Sequence, residues 1–158
     1  MSSALKNLSD FTTDNLPDVS GKTFAIVVSE WNTDVTHALY SGAYDTLLTY
    51  GAKEENIISA KVPGSFELSL GAQKMAQQTN IDAVICLGCV IQGETRHFDF
   101  ICQAVADGIT HVSLKYDKPV IFGVLTPNTQ EQAMDRAGGK HGNKGDEAAI
   151  TAIKMLGI

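Results

Sequence analysis

Residues 92–100 read QGETRHFDF, which brings together the residue types of an anion site and a proton carrier. Gly93 lets the backbone approach a ligand closely, because it carries no Cβ. Thr95 is placed to cap the helix that the following apolar period announces, and the free N–H groups of its first turn then point outward. A helix N-terminus behind a glycine turn is a ready anion site. His97 falls in that first turn, where the helix dipole disfavours an imidazolium. A neutral histidine beside a bound phosphate can accept and return protons near pH 7. The plainer reading is a capped loop with Arg96 and His97 on its surface.

A second constellation, DRAGGKHGNKGDE (135–147), sets Arg136, Lys140, His141 and Lys144 around four glycines. Either it is a solvated link in which glycines stop a helix, or it is a cationic contact for an anion or a partner chain. In PGSFE (63–67), Ser65 and Glu67 suit a helix cap and first turn. They equally suit hydrogen bonding to a polyol or sugar-like chain, with Phe66 between them. The only tryptophan, Trp31 in EWN, either covers the end of the core or stacks on a planar heterocycle.

Other patterns lead nowhere. Cys86 and Cys89 have C-x-x-C spacing, but residues i and i+3 of a strand face opposite ways, so they read as core cysteines. A second Cys/His pair at zinc spacing, a G-x-G-x-x-G after a strand and a P-loop are all missing. The strand ends VSE, KVP, GCV and VLT do not supply the acidic cluster of a phospho-receiver.

The elements that must position these residues follow from periodicity. TFAIVVS (23–29), NIISAKV (56–62), DAVICLGCVI (82–91) and PVIFGVL (119–125) are short, apolar and β-rich, as buried parallel strands are. Between them lie segments of helical period. One follows Asn32 or Thr33 as N-cap and stops at Gly51; one begins within PGSFE; one runs from Phe98 to Tyr116. TQEQAMDRA and GDEAAITAIKML close the chain as helices, the latter with Asp146 and Glu147 in its first turn. Strands alternating with helices predict an α/β fold with a parallel sheet covered on both faces. Sites in such sheets lie beyond the carboxyl ends of the strands, where all the loops above are found. Residues 1–20, interrupted by Pro17, read as a tail with room for a short strand.

The length, 158 residues, suits one domain. A net charge of −6 argues against nucleic-acid binding, so an anionic ligand needs a local basic site. The N-terminus has no cationic segment followed by an apolar stretch, and no run approaches the roughly 20 apolar residues of a membrane span. Three cysteines do not make a disulfide framework, and the expected location is the cytoplasm.

EWN, PGSFE, GCVIQGETRHFD, FGVLT and DRAGGKHGNKG stand in the order and spacing of one family. From about residue 20 to 158 the sequence resembles the lumazine synthases, also called riboflavin synthase beta chains. The resemblance implies a flavodoxin-like three-layer αβα sandwich with a four-stranded parallel sheet. It implies condensation of 5-amino-6-(D-ribitylamino)uracil with 3,4-dihydroxy-2-butanone 4-phosphate, with no cofactor and no metal. Trp31, where many members have phenylalanine, would stack on the pyrimidine. Ser65, Phe66 and Glu67 would bind the ribityl side, and the backbone of Cys89, Val90 and Ile91 would line the heterocycle. Glu94 and Thr95 would offer N–H groups to the phosphate, with Arg136 brought in by folding as its charged partner. His97 would shuttle protons, Lys144 would lie near the reacting end, and Phe122 would come from a neighbouring subunit. Arg96 carries no catalytic role in this reading, and none is assigned to His141. Family members form pentamers with sites at subunit interfaces, the N-terminal stretch NLPDVSGK adding a strand to a neighbour's sheet. Some build sixty-subunit shells, which can enclose riboflavin synthase. The absence of an insertion in GGKHGNKG favours a shell. A flavin- or lumazine-binding module without turnover and a structural shell protein are the competing readings; the presence of His97 and Arg136 speaks against the first, and PGSFE together with GETRH against the second.

Overall fold

The structure is a computed structural model that describes residue 7, residues 9–11 and residues 13–158. In chain order its elements are β1 (Phe24–Ser29), α1 (Thr33–Thr49), β2 (Ile57–Val62), α2 (Leu68–Ala76), β3 (Ala83–Cys89) and α3 (His97–Tyr116). There follow β4 (Val120–Leu125), α4 (Gln130–Met134), β5 (Ala137–Gly139), β6 (Gly142–Asn143) and α5 (Lys144–Met155). Every residue of β1 and β3 is buried, so neither face of these strands meets water. They accordingly occupy the middle of the sheet, whose order is β2–β1–β3–β4 with all pairs parallel.

The side chains of β1 alternate between two cores. Phe24, Ile26 and Val28 join Leu39, Leu47, Ile150 and Ile153 of α1 and α5 on one face. Ala25 and Val27 join Leu68, Val105, Ile109 and Val112 of α2 and α3 on the other. The predicted α/β fold with a covered four-stranded parallel sheet is the observed one. The two cysteines of CLGC divide in the same way, Cys89 into the first core and Cys86 into the second. Burial pushes both thiols up to about 12.

Helix ends follow local chemistry. Gly51, at φ 101, lets Ala52 N donate back to Leu47 O at 3.0 Å and stops α1. Asn143 Oδ1 caps α5 by accepting from Gly145 N at 2.8 Å, with Asp146 and Glu147 in the first turn. Two expectations change. The glycine-rich link after α4 is an antiparallel hairpin of β5 and β6, because Gly138 and Gly142 supply the positive φ angles of its reversal. TQEQAMDRA yields only the five residues of α4. Within the single chain NLPDVSGK forms no strand: Val19 is buried in the core beside α1 and α5, and Leu16 packs against it. Most of the first twelve residues of the tail lie outside the described residues.

Candidate active site

The chain leaves β1, builds β2 on one side, then crosses back to build β3 on the other. The loops after β1 and β3 therefore diverge, which opens a crevice at the carboxyl end of the sheet. A cleft of about 300 Å³ lies there, lined by Trp31, Asn32, Gly64–Glu67, Cys89–Ile91, His97 and Ile101. Loops far apart in sequence thus meet around one space.

Several lining groups are held by identifiable bonds. Glu30 N donates to Val62 O at 2.8 Å and Trp31 N to Pro63 O at 3.1 Å, tying the Trp31 loop to the end of β2. The Trp31 ring is 72% exposed, so it does not cover the core; it stands free as a platform at the cleft. Ser65 is not a helix cap. Its side chain is 6% exposed and its Oγ reaches the Cys89 carbonyl in a long 3.5 Å contact. Gly88 makes this approach possible, since a Cβ there would sit 2.7 Å from Ser65 Oγ. Glu67 does serve the turn, its Oε2 accepting from Gly64 N at 3.0 Å, while it also lines the cleft.

His97 is the first residue of α3, exposed at the cleft wall. Thr95 Oγ1 accepts from His97 N at 3.4 Å, a loose cap set one residue further out than expected, since Arg96 occupies the N-cap position. Glu94 and Thr95 are exposed in the approach to α3 and do not belong to the lining of the cleft. Arg96 turns to its own helix, with Nε 3.5 Å from Asp99 Oδ2 and its guanidinium 5.8 Å from the Phe100 ring centre.

The remaining residues of the expected set lie elsewhere. Folding of one chain does not bring Arg136, Lys144 or Phe122 to the cleft lining. A second cavity of about 330 Å³ opens along the edge strand β4 and is lined by Phe122, Ser113, Lys144, Glu147, Thr151 and Met155 among others. Lys144 Nζ pairs there with Glu147 Oε1 at 2.7 Å. Lys144 N donates to Arg136 O at 2.8 Å, so the hairpin places the arginine next to the lysine in space. Arg136 Nη1 donates to Gln132 O at 3.0 Å. Lys140 is occupied by Asp135 at 2.8 Å, and that hydrogen bond raises its pKa. His141 is fastened by its backbone, N to Asp135 O at 2.9 Å.

The sequence matches the 6,7-dimethyl-8-ribityllumazine synthase family over residues 21–158. The chain belongs to the lumazine synthase family. Proteins of that name are similar to it over nearly their whole length. One from Cytophaga hutchinsonii is 65% identical over 156 residues, covering 99% of this chain and 98% of that protein. One from Parabacteroides distasonis is 53% identical over 156 residues, with the same two shares of 99% and 98%. One from Flavobacterium johnsoniae is 53% identical over 158 residues, covering all of this chain and 83% of that protein. Both cavities of this lumazine synthase family member lie within the matched segment. Sequence reasoning overlooked Asn32 and Ile101 in the cleft. Asn32 passed as a helix cap and Ile101 as one residue of the helical period from Phe98 to Tyr116, and only the spatial meeting of β1, β3 and α3 distinguishes them. Among the described residues, no helix is long and apolar enough to cross a membrane.

Proposed function

We propose that this chain is a lumazine synthase: it condenses 5-amino-6-(D-ribitylamino)uracil with 3,4-dihydroxy-2-butanone 4-phosphate to 6,7-dimethyl-8-ribityllumazine, releasing phosphate and water. This is the penultimate step of riboflavin biosynthesis. The observation that carries the reading is the convergence of the EWN, PGSFE and GCVIQGETRH loops on one cleft in a chain of this family. In this reading Trp31 stacks on the pyrimidine and the Cys89–Ile91 backbone flanks its edge. Ser65, Phe66 and Glu67 take the ribityl chain. The phosphate sits at the N-terminus of α3, near Glu94 and Thr95, where the positive end of the helix dipole favours an anion.

The pyrimidine amine attacks the ketone and forms an imine. His97 moves the protons that let phosphate leave, a departure eased when the phosphate charge is already paired. The ribitylamino nitrogen then closes the ring and water departs. Holding two substrates in register supplies much of the acceleration.

Lys144 and Phe122 line the other cavity, and Arg136, the proposed charged partner of the phosphate, is bonded through its carbonyl to Lys144 N. The proposal therefore includes assembly: a neighbouring copy presents Phe122, Arg136 and Lys144 to the cleft of the first. The assembly is built on pentamers, and the short β5–β6 hairpin, with α5 following at once, favours the sixty-subunit shell, with riboflavin synthase as its enclosed partner. Residues 1–158 form a single lumazine synthase domain whose N-terminal tail, residues 1–20, serves assembly, and the protein acts in the cytoplasm. The test is a turnover assay of the purified chain on both substrates, with particle size measured on the same sample. Lumazine formation above the spontaneous background supports the reaction; none, from folded and assembled protein, overturns it.

A further inference from the structure

Asn32 precedes α1 in the N-cap position, where the usual residue is extended and its side chain accepts a helical N–H. Here the backbone is left-handed, at φ 60 and ψ 49, and no side-chain capping bond forms. Asn15, Asn32 and Asp117 are the non-glycine residues of positive φ among the described residues, and Asn32 alone of these lines the cleft. Asparagine tolerates this region better than most residues, yet it remains disfavoured. Such a conformation persists where the surroundings impose it.

What imposes it is found at the far end of the side chain. Asn32 Nδ2 donates to the Cys89 carbonyl at 2.9 Å. Cys89 ends β3 and Asn32 lies in the loop after β1, so this bond spans the crevice between the diverging loops. The 3.5 Å contact from Ser65 Oγ reaches the same oxygen from the loop after β2. Three cleft loops thus converge on one acceptor with two lone pairs, and Asn32 makes the shorter bond. The other anchors of the Trp31 loop, from Glu30 N and Trp31 N, run the opposite way, towards β2.

We infer that Asn32 is a positioning residue for the pyrimidine. Its bond to Cys89 O fixes the spacing between the Trp31 ring and the Cys89–Ile91 wall, so that the slot fits one planar heterocycle. This rests on the lumazine synthase reading of the cleft. Asn32 acts through Trp31 and Cys89 and touches no reacting atom.

The loop has enough backbone bonds to survive loss of the side chain, since Val35 N and Thr36 N both donate to Asn32 O at 3.0 Å. Asn32→Gly is the cleanest variant, because glycine adopts φ 60 freely and only the tie is lost. Asn32→Asp keeps the shape but sets a carboxylate against a carbonyl oxygen. Steady-state kinetics on the assembled protein are combined with titration of the fluorescence of its one tryptophan. The pyrimidinedione KM and Kd are expected to rise about tenfold in Asn32→Gly and further in Asn32→Asp. The KM for butanone phosphate and the melting temperature of Asn32→Gly are expected to stay as in wild type. Unchanged pyrimidinedione affinity in both variants overturns the inference. So does an equal rise for both substrates, or a fall in melting temperature and kcat with pyrimidinedione KM unmoved, which would mark a purely structural residue. Wild-type protein that fails to turn over defeats the reaction reading instead, and the tryptophan titration with the pyrimidinedione still decides the role of Asn32.

Discussion

The cleft above β1 and β3 and the cavity along β4 are close in size, about 300 and 330 Å³. The first is walled by loops tied to one another through backbone groups and presents Trp31, Phe66 and His97. These suit a planar, hydroxylated molecule and a proton in transit. The second is walled by an edge strand and one face of α5. It presents Phe122, which is 37% exposed, and the Lys144–Glu147 pair, with Arg136 next to the lysine. In the proposed reading the first region holds the proton carrier and the second the cations. A reaction that expels phosphate needs both. On the proposed reading each chain carries the two halves of a site, and a second copy joins them.

Removing one element from each region is the strongest way to break this comparison. His97→Ala should lower kcat by about 10²- to 10⁴-fold while pyrimidinedione binding, read from Trp31 fluorescence, hardly moves. Equal losses in rate and binding would end the proton-shuttle role. Arg136→Ala should raise the KM for butanone phosphate about 10- to 100-fold, the worth of a charge-assisted hydrogen bond. An unchanged KM would detach the hairpin from the phosphate. The two variants also sharpen the comparison when refolded together. If neighbouring copies complete one another, roughly a quarter of wild-type activity should return in the mixture at butanone phosphate far below the raised KM; if each chain holds its whole site, none should.

Smaller effects probe each region alone. Trp31→Ala should weaken pyrimidinedione binding about tenfold, in line with loss of one aromatic contact, and Trp31→Phe should change it little, which calorimetry can measure. Equal weakening in both would mean that the indole, not a stacking face, is what the ligand needs. Least visible is the pH dependence of the core under the cleft. Burial holds the Cys86 and Cys89 thiols up to about 12, with the neighbouring Cys102 adding to the effect at Cys89. In the unfolded chain both ionise from about pH 8.5. Their contribution to stability is therefore complete below that value and lost as pH rises towards about 12. Urea midpoints should fall between pH 8 and pH 10, and Cys86→Ala should flatten that fall. An identical slope in the variant would remove Cys86 from the account.

Much of the fold was legible because its signals are short-ranged. FAIVVS and AVICLGC are apolar on both faces, so they read as buried strands, and alternation with helices required a parallel sheet. The spacing of Cys86 and Cys89 was enough to assign them to opposite faces. The loops at the carboxyl ends of β1, β2 and β3 could be singled out as the site before any contact was known. The helical period of α3 and the position of His97 in its first turn are likewise local facts.

What only the tertiary structure decided is which of these pieces meet. The order β2–β1–β3–β4 places Trp31, Ser65, Cys89 and His97 around one crevice and sends Phe122 and Lys144 to the far edge. Strand order is set by long-range packing of two cores, and no short window of sequence contains it. The hairpin of β5 and β6 escaped notice for the same reason: its glycines look like a link until the folded chain brings Lys144 N to Arg136 O. Asn32 looked like an ordinary cap because its partner, the Cys89 carbonyl, lies 57 residues away in the chain and 2.9 Å away in space.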